Sequence, residues 1–522
     1  MTRRVAAARA TPAEDSEMNK YSLMAVAVAL FAAGCTMEPK YDRPAAPVSG
    51  AFPADGVYAT QPVPAAGARS ASGQAAVDIG WRDFFVDQRL QRLIEIALKN
   101  NRDLRVSVLN IEASRAQYQI VRAQLMPAVS AAASQTKQRT PKDLSFLGKT
   151  ISNEYSVGLN ASWEIDFFGR IRSLKDQALA QYLATAEARK AAEIALVASV
   201  ADQYVTLLSF DDLLKVTQDT LKTADDSYRI TKLQYDTGTG SELDLRQAET
   251  VVEQAKADLQ SQARLRAQAE NALILLVGEP LPDDLPGGLA LNDQDLLTDI
   301  PAGLPSDLLT RRPDIMEAEQ NLLAANANIG AARAAFFPRV SLTGSFGTLS
   351  PTLGGLFKPG SAAWSFAPQI TLPIFEGGQN LANLDLANVE KNIQIAQYEK
   401  AIQTAFREVA DGLAARGTYD QQITALERNT FAEQRRLELS DLRYRNGVDS
   451  YLAVLTAQTD LYTSQRSLIT ARMQRLTNLV DLYKALGGGW IEHAGEQPRP
   501  ADAPVDYGAA SAPAAASAAT AG

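Results

Sequence analysis

The chain has 522 residues, of which 21% are charged, and a formal net charge of −9 at pH 7. This acidic balance excludes the basic footprint of a nucleic-acid-binding protein. The sequence holds one cysteine, Cys35, and one histidine, His493, so neither a His/Cys metal centre nor a Cys–His catalytic pair is expected. The sequence contains no run of about 18 apolar residues, so it predicts no membrane-spanning helix. If this chain crosses a membrane, strands must do so.

The N-terminus has the form of an export signal. Lys20 precedes an apolar stretch of about 14 residues that ends in small residues, as in a secretory signal peptide. We therefore predict that residues 1–34 form a signal peptide. Met18 is an alternative translation start, because the acidic residues before it do not fit the basic end of such a signal.

Cys35 follows the small residues Ala32-Ala33-Gly34. This arrangement resembles a bacterial lipobox, which implies cleavage before Cys35 and lipid attachment to its thiol. The alternative is an unmodified small apolar residue. Thr36 stands where an Asp would retain such a lipoprotein in the inner membrane, so the same resemblance implies delivery to the outer membrane. Residues 35–80 are rich in Pro, Ala and Gly and are predicted to form a lipid-anchored, extended tether.

The first structured part begins with a helix predicted over 83–124, which should end before Pro127. A strand follows, then a loop over 137–151 and a second strand over 155–166. In the second strand, apolar odd positions alternate with polar even positions over about twelve residues. That is longer than most strands and suits a barrel wall between lipid and a wet lumen. A long strand of a soluble sheet is the alternative.

Two long helices come next. The stretch 172–235 contains no Pro or Gly and would reach roughly 90 Å as one helix. A Gly-containing break separates it from a second helix over 242–277. Apolar residues at heptad-like spacing predict coiled-coil packing of these helices; they are Val197, Val200, Tyr204 and Leu207.

The same order then recurs. Arg122–Ser130 matches Arg333–Ser341 at an offset of 211 residues, and Val200-Ala-Asp202 matches Val409-Ala-Asp411 at an offset of 209. We infer a tandem duplication. Repeat 1 spans 81–277, a linker or equatorial segment spans 278–311, and repeat 2 spans 312–490. Repeat 2 has predicted strands near 339–347 and 364–374 and predicted helices over 380–445 and 450–485. Residues 491–522 are predicted to be a disordered Ala/Pro-rich tail.

Four membrane-length strands per chain leave two open edges, which lipid does not tolerate. Copies must therefore assemble to close the wall. Two copies would give eight strands and a filled interior, whereas three would give twelve strands around an open lumen. The polar faces, rich in Ser, Thr, Asn and Gln, favour three. The fold class is thus an α+β membrane protein, a trimeric 12-stranded transmembrane β-barrel continued by a long α-helical coiled-coil barrel. Aromatic residues at the strand–helix junctions would line the membrane boundary or pack locally; they are Phe167, Phe168, Phe336, Phe337 and Phe375.

In this order and in several short motifs, the chain resembles the TolC-type outer membrane factor family, in its OprM-like (NodT-type) efflux lipoprotein branch. The motifs are Cys35–Pro44, Trp81–Phe85, Arg311–Asp314, Pro373–Gly378, Tyr444–Ser450 and Leu486–Trp490. The resemblance implies a homotrimer in the outer membrane of a Gram-negative bacterium, with its helical barrel in the periplasm. It also implies a passive exit duct for drugs and small solutes. Its partners would be a periplasmic adaptor (a membrane fusion protein) and an inner-membrane transporter of the RND type.

The resemblance places the functional site at the two helix breaks. It implies a tip gate formed by Asp244, Tyr444 and Asp449, with Asp244 and Tyr444 as linked partners. The implied adaptor-docking turns are Gly238, Ser241, Gly447 and Ser450. Simpler roles are a tight helix reversal for the glycines and a first-turn carboxylate for Asp244.

One departure from the family pattern concerns the pore. Ala453 and Thr456 are uncharged where relatives often carry Asp, so Asp449 is the nearest candidate for a carboxylate ring at that level.

Other functions remain as alternatives. They are the duct of a type I protein secretion or metal-efflux system and a non-transport coiled-coil envelope scaffold. No catalytic residue, metal site or cofactor is expected apart from the lipid on Cys35, because no catalytic cluster or nucleotide-binding loop stands in a suitable context.

Overall fold

The computed structural model describes residues 36–59, 75–141, 143, 150–294, 296 and 305–495. The predicted signal peptide and Cys35 lie outside these residues, as does the tail from 496 onward.

The described chain follows the predicted order of helix, hairpin and long helix pair, twice over. Repeat 1 contains α1 (Trp81–Phe84), α2 (Gln88–Asn100), α3 (Arg102–Ala123), β1 (Ala128–Arg139), β2 (Ile151–Ile165), α4 (Arg170–Asp236) and α5 (Glu242–Val277). The linker contributes α6 (Pro305–Arg311), and repeat 2 contains α7 (Pro313–Ala334), β3 (Arg339–Ser350), β4 (Ala362–Thr371), α8 (Gln379–Arg445) and α9 (Tyr451–Ala485). The counterparts α4 and α8 are each 67 residues long.

The prediction of one helix over 83–124 is wrong, because two side chains end and restart it. Asp87 accepts hydrogen bonds from the backbone N–H groups of Arg89 and Leu90 and caps α2. Asn101 accepts from the N–H of Leu104 at 2.9 Å at the start of α3. Asn and Asp are strong N-caps because their short side chains reach these free backbone donors.

The four strands form one antiparallel sheet in the order β1-β2-β3-β4. The two hairpins are joined by the β2–β3 ladder, which runs from the pair Tyr155–Ser350 to the pair Ile165–Val340. Among the described strands, β1 and β4 are the edges of this sheet. β4 ends at Thr371, earlier than the predicted 374, because Pro373 cannot donate to a ladder.

The register aligns one apolar and one polar face across all four strands. One row of partners is Leu159, Phe346 and Trp364, and the adjacent row on the other face is Asn160, Ser345 and Ser365. Every residue of β1 is exposed in the single chain, and Phe346 and Trp364 are 69% and 76% exposed. A sheet with a bare apolar face and a bare polar face can separate lipid from water.

The chain folds into two compact units that do not coincide with the repeats. Of the described residues, the first unit comprises those within 36–44, 112–183 and 319–397, and so contains both hairpins. The second comprises the described residues within 45–111, 184–318 and 398–495. Each repeat contributes to both units, because β2 of one repeat pairs with β3 of the other.

In the first unit, residues 36–44 of the predicted tether pack on α7. The Arg43 guanidinium donates to both carboxylate oxygens of Glu319 in α7, each at 2.7 Å, and Tyr41 donates to the same carboxylate at 3.1 Å. At the junctions, Phe168 stacks on Phe337 with ring centroids 4.8 Å apart. Local packing is therefore one role of these two aromatics, while Phe375 is 88% exposed.

In the second unit, the predicted heptad residues Val197, Val200, Tyr204 and Leu207 are all buried. Asp87 anchors the linker, because its carboxylate accepts from the Tyr204 hydroxyl at 2.9 Å and from the Gln294 amide at 2.8 Å.

The predicted start of a disordered tail at 491 is wrong. Ile491 is buried against Ile194 and Trp490, and its carbonyl accepts from the N–H of Trp81 at 2.9 Å.

By length and composition alone, one described helix is apolar enough to cross a membrane. It is α4, in which an 18-residue window has a mean hydropathy of 1.3 and is 56% buried. Partial burial of that window fits a helix that packs on other helices, so we do not assign a membrane span to α4.

Candidate gate and docking site at the helix turns

The site is built on two equivalent helix reversals. α4 ends at Asp236 and α5 begins at Glu242, while α8 ends at Arg445 and α9 begins at Tyr451. Gly238 and Gly447 adopt left-handed φ values of 76° and 70°, which favour glycine. Each glycine N–H donates to the carbonyl three residues earlier, that of Tyr235 or Tyr444, at 2.9 Å.

The two turns differ in their caps. Ser241 accepts from the N–H of Asp244 at 3.1 Å, and its hydroxyl donates to the Asp244 carboxylate at 2.8 Å. This is a reciprocal cap at the positive end of α5, where a carboxylate is favoured. Ser450 occupies the N-cap position of α9, but its side chain makes no capping hydrogen bond.

Behind the turns, α4, α5, α8 and α9 meet in one apolar cluster. Its buried members are Ala248, Tyr451, Val454 and Leu455, and its partly buried members are Tyr228, Val251, Leu437 and Tyr444. The rings of Tyr444 and Tyr451 lie 5.1 Å apart at 50°. The turns therefore rest on a common core instead of projecting as separate loops.

Tyr444 is the polar link in this cluster. Its hydroxyl donates to the side-chain oxygen of Gln234 in α4 at 2.8 Å. Burial, and then the negative charge of Asp244, raise the pKa of Tyr444. Among the described residues we find no direct hydrogen bond between Asp244 and Tyr444, so within one chain they act on each other through space only.

Asp449 is neutralised within its own turn. Its carboxylate accepts from Nε of Arg443 at 2.5 Å and from Nη2 at 3.1 Å. The arginine lowers the pKa of Asp449, and the carboxylate raises the pKa of Arg443. Arg445 pairs in the same way with Asp441 at 2.9 Å, so both of these carboxylates are paired with an arginine of α8.

The uncharged residues Ala453 and Thr456 lie near the start of α9. Thr456 turns its hydroxyl back to the carbonyl of Leu452 at 2.9 Å. The N–H of Ala453 donates to the carbonyl of Ser450 at 3.1 Å.

A groove of about 330 Å³ runs beside Tyr444, with walls supplied by α4, α8 and α9. Its lining includes the charged residues Asp226, Glu438, Asp441 and Arg445 and the apolar residues Ile230 and Leu437. A groove with both charged and apolar lining can accept a helical or looped protein segment.

Sequence reasoning missed Gln234 and Arg443, the direct partners of Tyr444 and Asp449. The motif Tyr444–Ser450 contains Asp449 and lies one residue after Arg443, so the charge pair had a local signal. The Gln234 contact had none, because it depends on how α8 packs against α4.

Known proteins resemble this chain in sequence and in structure. The sequence model of the family described as outer membrane efflux protein matches residues 93–279 and 304–488. The two matches correspond to the two repeats, which confirms the duplication.

Individual proteins resemble this chain over about nine tenths of its length. The probable efflux pump outer membrane protein TtgC of Pseudomonas putida is 48% identical over 478 residues, 91% of this chain and 97% of TtgC. Outer membrane protein OprJ of Pseudomonas aeruginosa is 45% identical over 481 residues, 90% of this chain and 96% of OprJ. The open-state crystal structure of the MtrE outer membrane channel of Neisseria gonorrhoeae superposes with a TM-score of 0.78 at 44% identity, covering 88% of this chain and all of MtrE. The chain belongs to the outer membrane efflux protein family.

Proposed function

We propose that this protein is the outer membrane channel of a tripartite, RND-type efflux system, a passive exit duct for drugs and small solutes. Three copies would close a twelve-stranded barrel in the outer membrane and continue it as a helical barrel in the periplasm. TtgC is named as part of an efflux pump, and MtrE as an outer membrane channel. The duct performs no chemical step, so we assign it no catalytic residue or cofactor.

One observation carries this proposal: the sheet has two faces of opposite character and two unpaired edges. A wall in lipid cannot leave a row of backbone N–H and C=O groups unsatisfied, since each would cost several kcal/mol. Four strands are too few to close alone, and the Ser- and Thr-rich face requires water.

The test is the mass and conductance of the detergent-solubilised protein. We expect a complex of three chains that conducts ions in a planar bilayer. A single compact chain that binds no detergent belt and never conducts would refute the duct.

At the helix turns, we propose that Asp244, Tyr444 and Asp449 form the gate and that the turns at Gly238–Ser241 and Gly447–Ser450 receive the periplasmic adaptor. The shared core behind the turns and the groove beside Tyr444 support both roles. Crosslinking from a cysteine at Gly447 would identify the adaptor. Capture from a residue on the opposite face of α9, with none from the turn, would contradict the docking role.

We further propose that Cys35 carries a lipid. In support, Asn326 of α7 donates to the Glu38 carboxylate at 3.3 Å and to the Pro39 carbonyl at 2.8 Å. These contacts would keep the lipid near the sheet. Cys35→Ser should abolish metabolic lipid labelling, and unlabelled native protein would refute the assignment.

A further inference from the structure

The edges β1 and β4 must find partners if the proposed barrel forms, and the following inference rests on that proposal. The internal duplication allows the register of this pairing to be inferred, because equivalent positions of the two repeats lie at fixed offsets. Pro127 and Pro338, which precede β1 and β3, lie 211 residues apart, and Arg170 and Gln379, which begin α4 and α8, lie 209 apart.

These two offsets reproduce a register that the structure shows independently. Moving β1 by 211 and β2 by 209 converts the pair Ala128–Ser162 into Arg339–Thr371, which is an observed β3–β4 pair. At the far end, the pair Gln138–Ser152 becomes Leu349 and Ser361, whose N–H and carbonyl are bonded at 2.8 Å. The hairpins are thus equivalent in register along their whole length.

The ladder between repeats, β2–β3, can be translated by the same rule. β4 is the counterpart of β2, and β1 of a second copy is the counterpart of β3. Asn160–Ser345 and Ser162–Thr343 are observed pairs. We propose that β4 pairs antiparallel with β1 of the next copy, with Gln369 opposite Ser134 of the partner subunit and Thr371 opposite Ala132 of the partner subunit.

This register continues both faces of the sheet across the seam. Gln369 and Thr371 lie on the polar face, as do Ser134 and Ala132. A slip by one residue would place polar side chains in lipid. Trp364 and Phe366, 76% and 64% exposed in the single chain, would lie opposite Arg139 and Lys137 of the partner subunit, where cations can contact aromatic rings.

The same register explains exposed apolar residues beyond β4. Leu372 and Ile374 are 52% and 91% exposed, and the rule places them opposite Ala131 and Val129 of the partner subunit. Val129 is itself 65% exposed. Pro368 and Pro373 cannot donate, so this seam has fewer hydrogen bonds than the β2–β3 ladder.

The test is disulfide trapping in the full-length protein in outer membranes. The variant Ser134→Cys with Gln369→Cys should give covalent trimers on a denaturing, non-reducing gel after mild oxidation. Directly opposed Cβ atoms lie about 4.5–5.5 Å apart, whereas diagonal ones lie about 7–8 Å apart. Trapping should therefore be at least about tenfold faster than for Ala132→Cys or Thr136→Cys combined with Gln369→Cys, since a disulfide needs a short Cβ separation.

The chain offers matched controls. Asn160→Cys with Ser345→Cys occupies the equivalent positions within one chain and should oxidise without linking chains. The parent protein, whose single cysteine is Cys35, should give no linked chains on the gel. Ala132→Cys with Thr371→Cys is a second predicted pair, in case the first variant fails to assemble.

The outcomes separate the two proposals. Faster trapping in a shifted pair would overturn the register and leave the barrel standing. No linked chains from any pair, although the control within one chain oxidises, would overturn both the register and the closure by copies.

Discussion

Tyr444 joins two helices of the turn region through one hydroxyl. Its bond to Gln234 connects α8 to α4 beside a shared apolar core. Tyr444→Phe keeps the ring and removes the bond, which is worth about 1 kcal/mol, or roughly fivefold in an equilibrium. We expect the open fraction of single channels to rise by about that factor in planar bilayers.

A matched control lies on the same helix bundle. The Tyr462 hydroxyl lies 3.0 Å from the Thr217 hydroxyl, which also links α9 to α4, but farther along from the turns. Tyr462→Phe should leave the open fraction unchanged. An equal effect of both variants would show that general stability, not the turn contact, controls opening.

Asp202 is a half-buried carboxylate whose Oδ1 has no hydrogen-bond partner among the described residues. Burial first, and then the charge of Asp481, raise the pKa of Asp202 to about 7, while Lys484 opposes the shift. The folded protein therefore holds this proton more tightly than the unfolded chain does. The free energy of unfolding therefore falls as pH rises from about 4 to about 7. Above that range the full cost of ionising this buried carboxylate is present.

Asp202→Asn should therefore stabilise the protein at pH 8 by on the order of 1–3 kcal/mol and at pH 5 by about a third as much. Thermal unfolding at both pH values measures this. The repeat counterpart Asp411 is exposed and lies 4.0 Å from Arg407, so Asp411→Asn should change stability by less than about 0.5 kcal/mol at either pH. A gain for Asp202→Asn that is equal at both pH values would argue against titration as the cause.

At the scale of elements, a bidentate ion pair joins the segment 36–44 to α7, beside the Asn326 contact with the Pro39 carbonyl. Glu319 of α7 accepts from both Arg43 and Tyr41. Arg43→Ala should release the segment, and the loss of a bidentate ion pair worth about 1 kcal/mol or more should raise amide exchange over 36–44 at least about fivefold. Arg333→Ala, which removes only a 3.4 Å bond to the Met37 carbonyl, should raise it less. Unchanged exchange in Arg43→Ala would mean that other contacts hold the segment.

Helices and strands were predictable from the sequence because apolar residues recur with a clear period in each segment and a residue that breaks the pattern ends it. The helix ends at Asp236, Val277, Arg445 and Ala485 lie within one residue of their predicted positions, since glycines mark or closely follow them. The breaks at Asp87 and Asn101 were missed, because there an apolar stripe continues past a polar cap.

Side-chain partners across elements were not predictable in the same way. Asp449 and Arg443 are six residues apart, but Gln234 and Tyr444 are 210 apart, and their meeting depends on the rotation of one long helix against another. The duplication told us which turns are equivalent, yet not that Ser241 would cap its helix with its side chain while Ser450 would not.

For the whole molecule, charge placement matters more than the net charge of −9. That charge and the acidic turns predict a cation-preferring duct, but Asp449 is neutralised by Arg443 and Asp441 by Arg445. Arg443→Gln would free one carboxylate per copy at the end where the duct is proposed to narrow. Because the freed carboxylate is exposed and screened by solvent, its attraction for a passing cation is modest, and the cation-to-anion permeability ratio should rise roughly twofold to fivefold.

Reversal potentials under a salt gradient measure this ratio. Lys256 provides the control, because it is an exposed cation paired with Glu253 on α5, and Lys256→Gln removes the same charge away from the turns. We expect Lys256→Gln to leave the ratio unchanged and Asp449→Asn to lower it in the Arg443→Gln background. An equal shift from Arg443→Gln and Lys256→Gln would place the selectivity in the overall charge of the molecule and not at its helix turns.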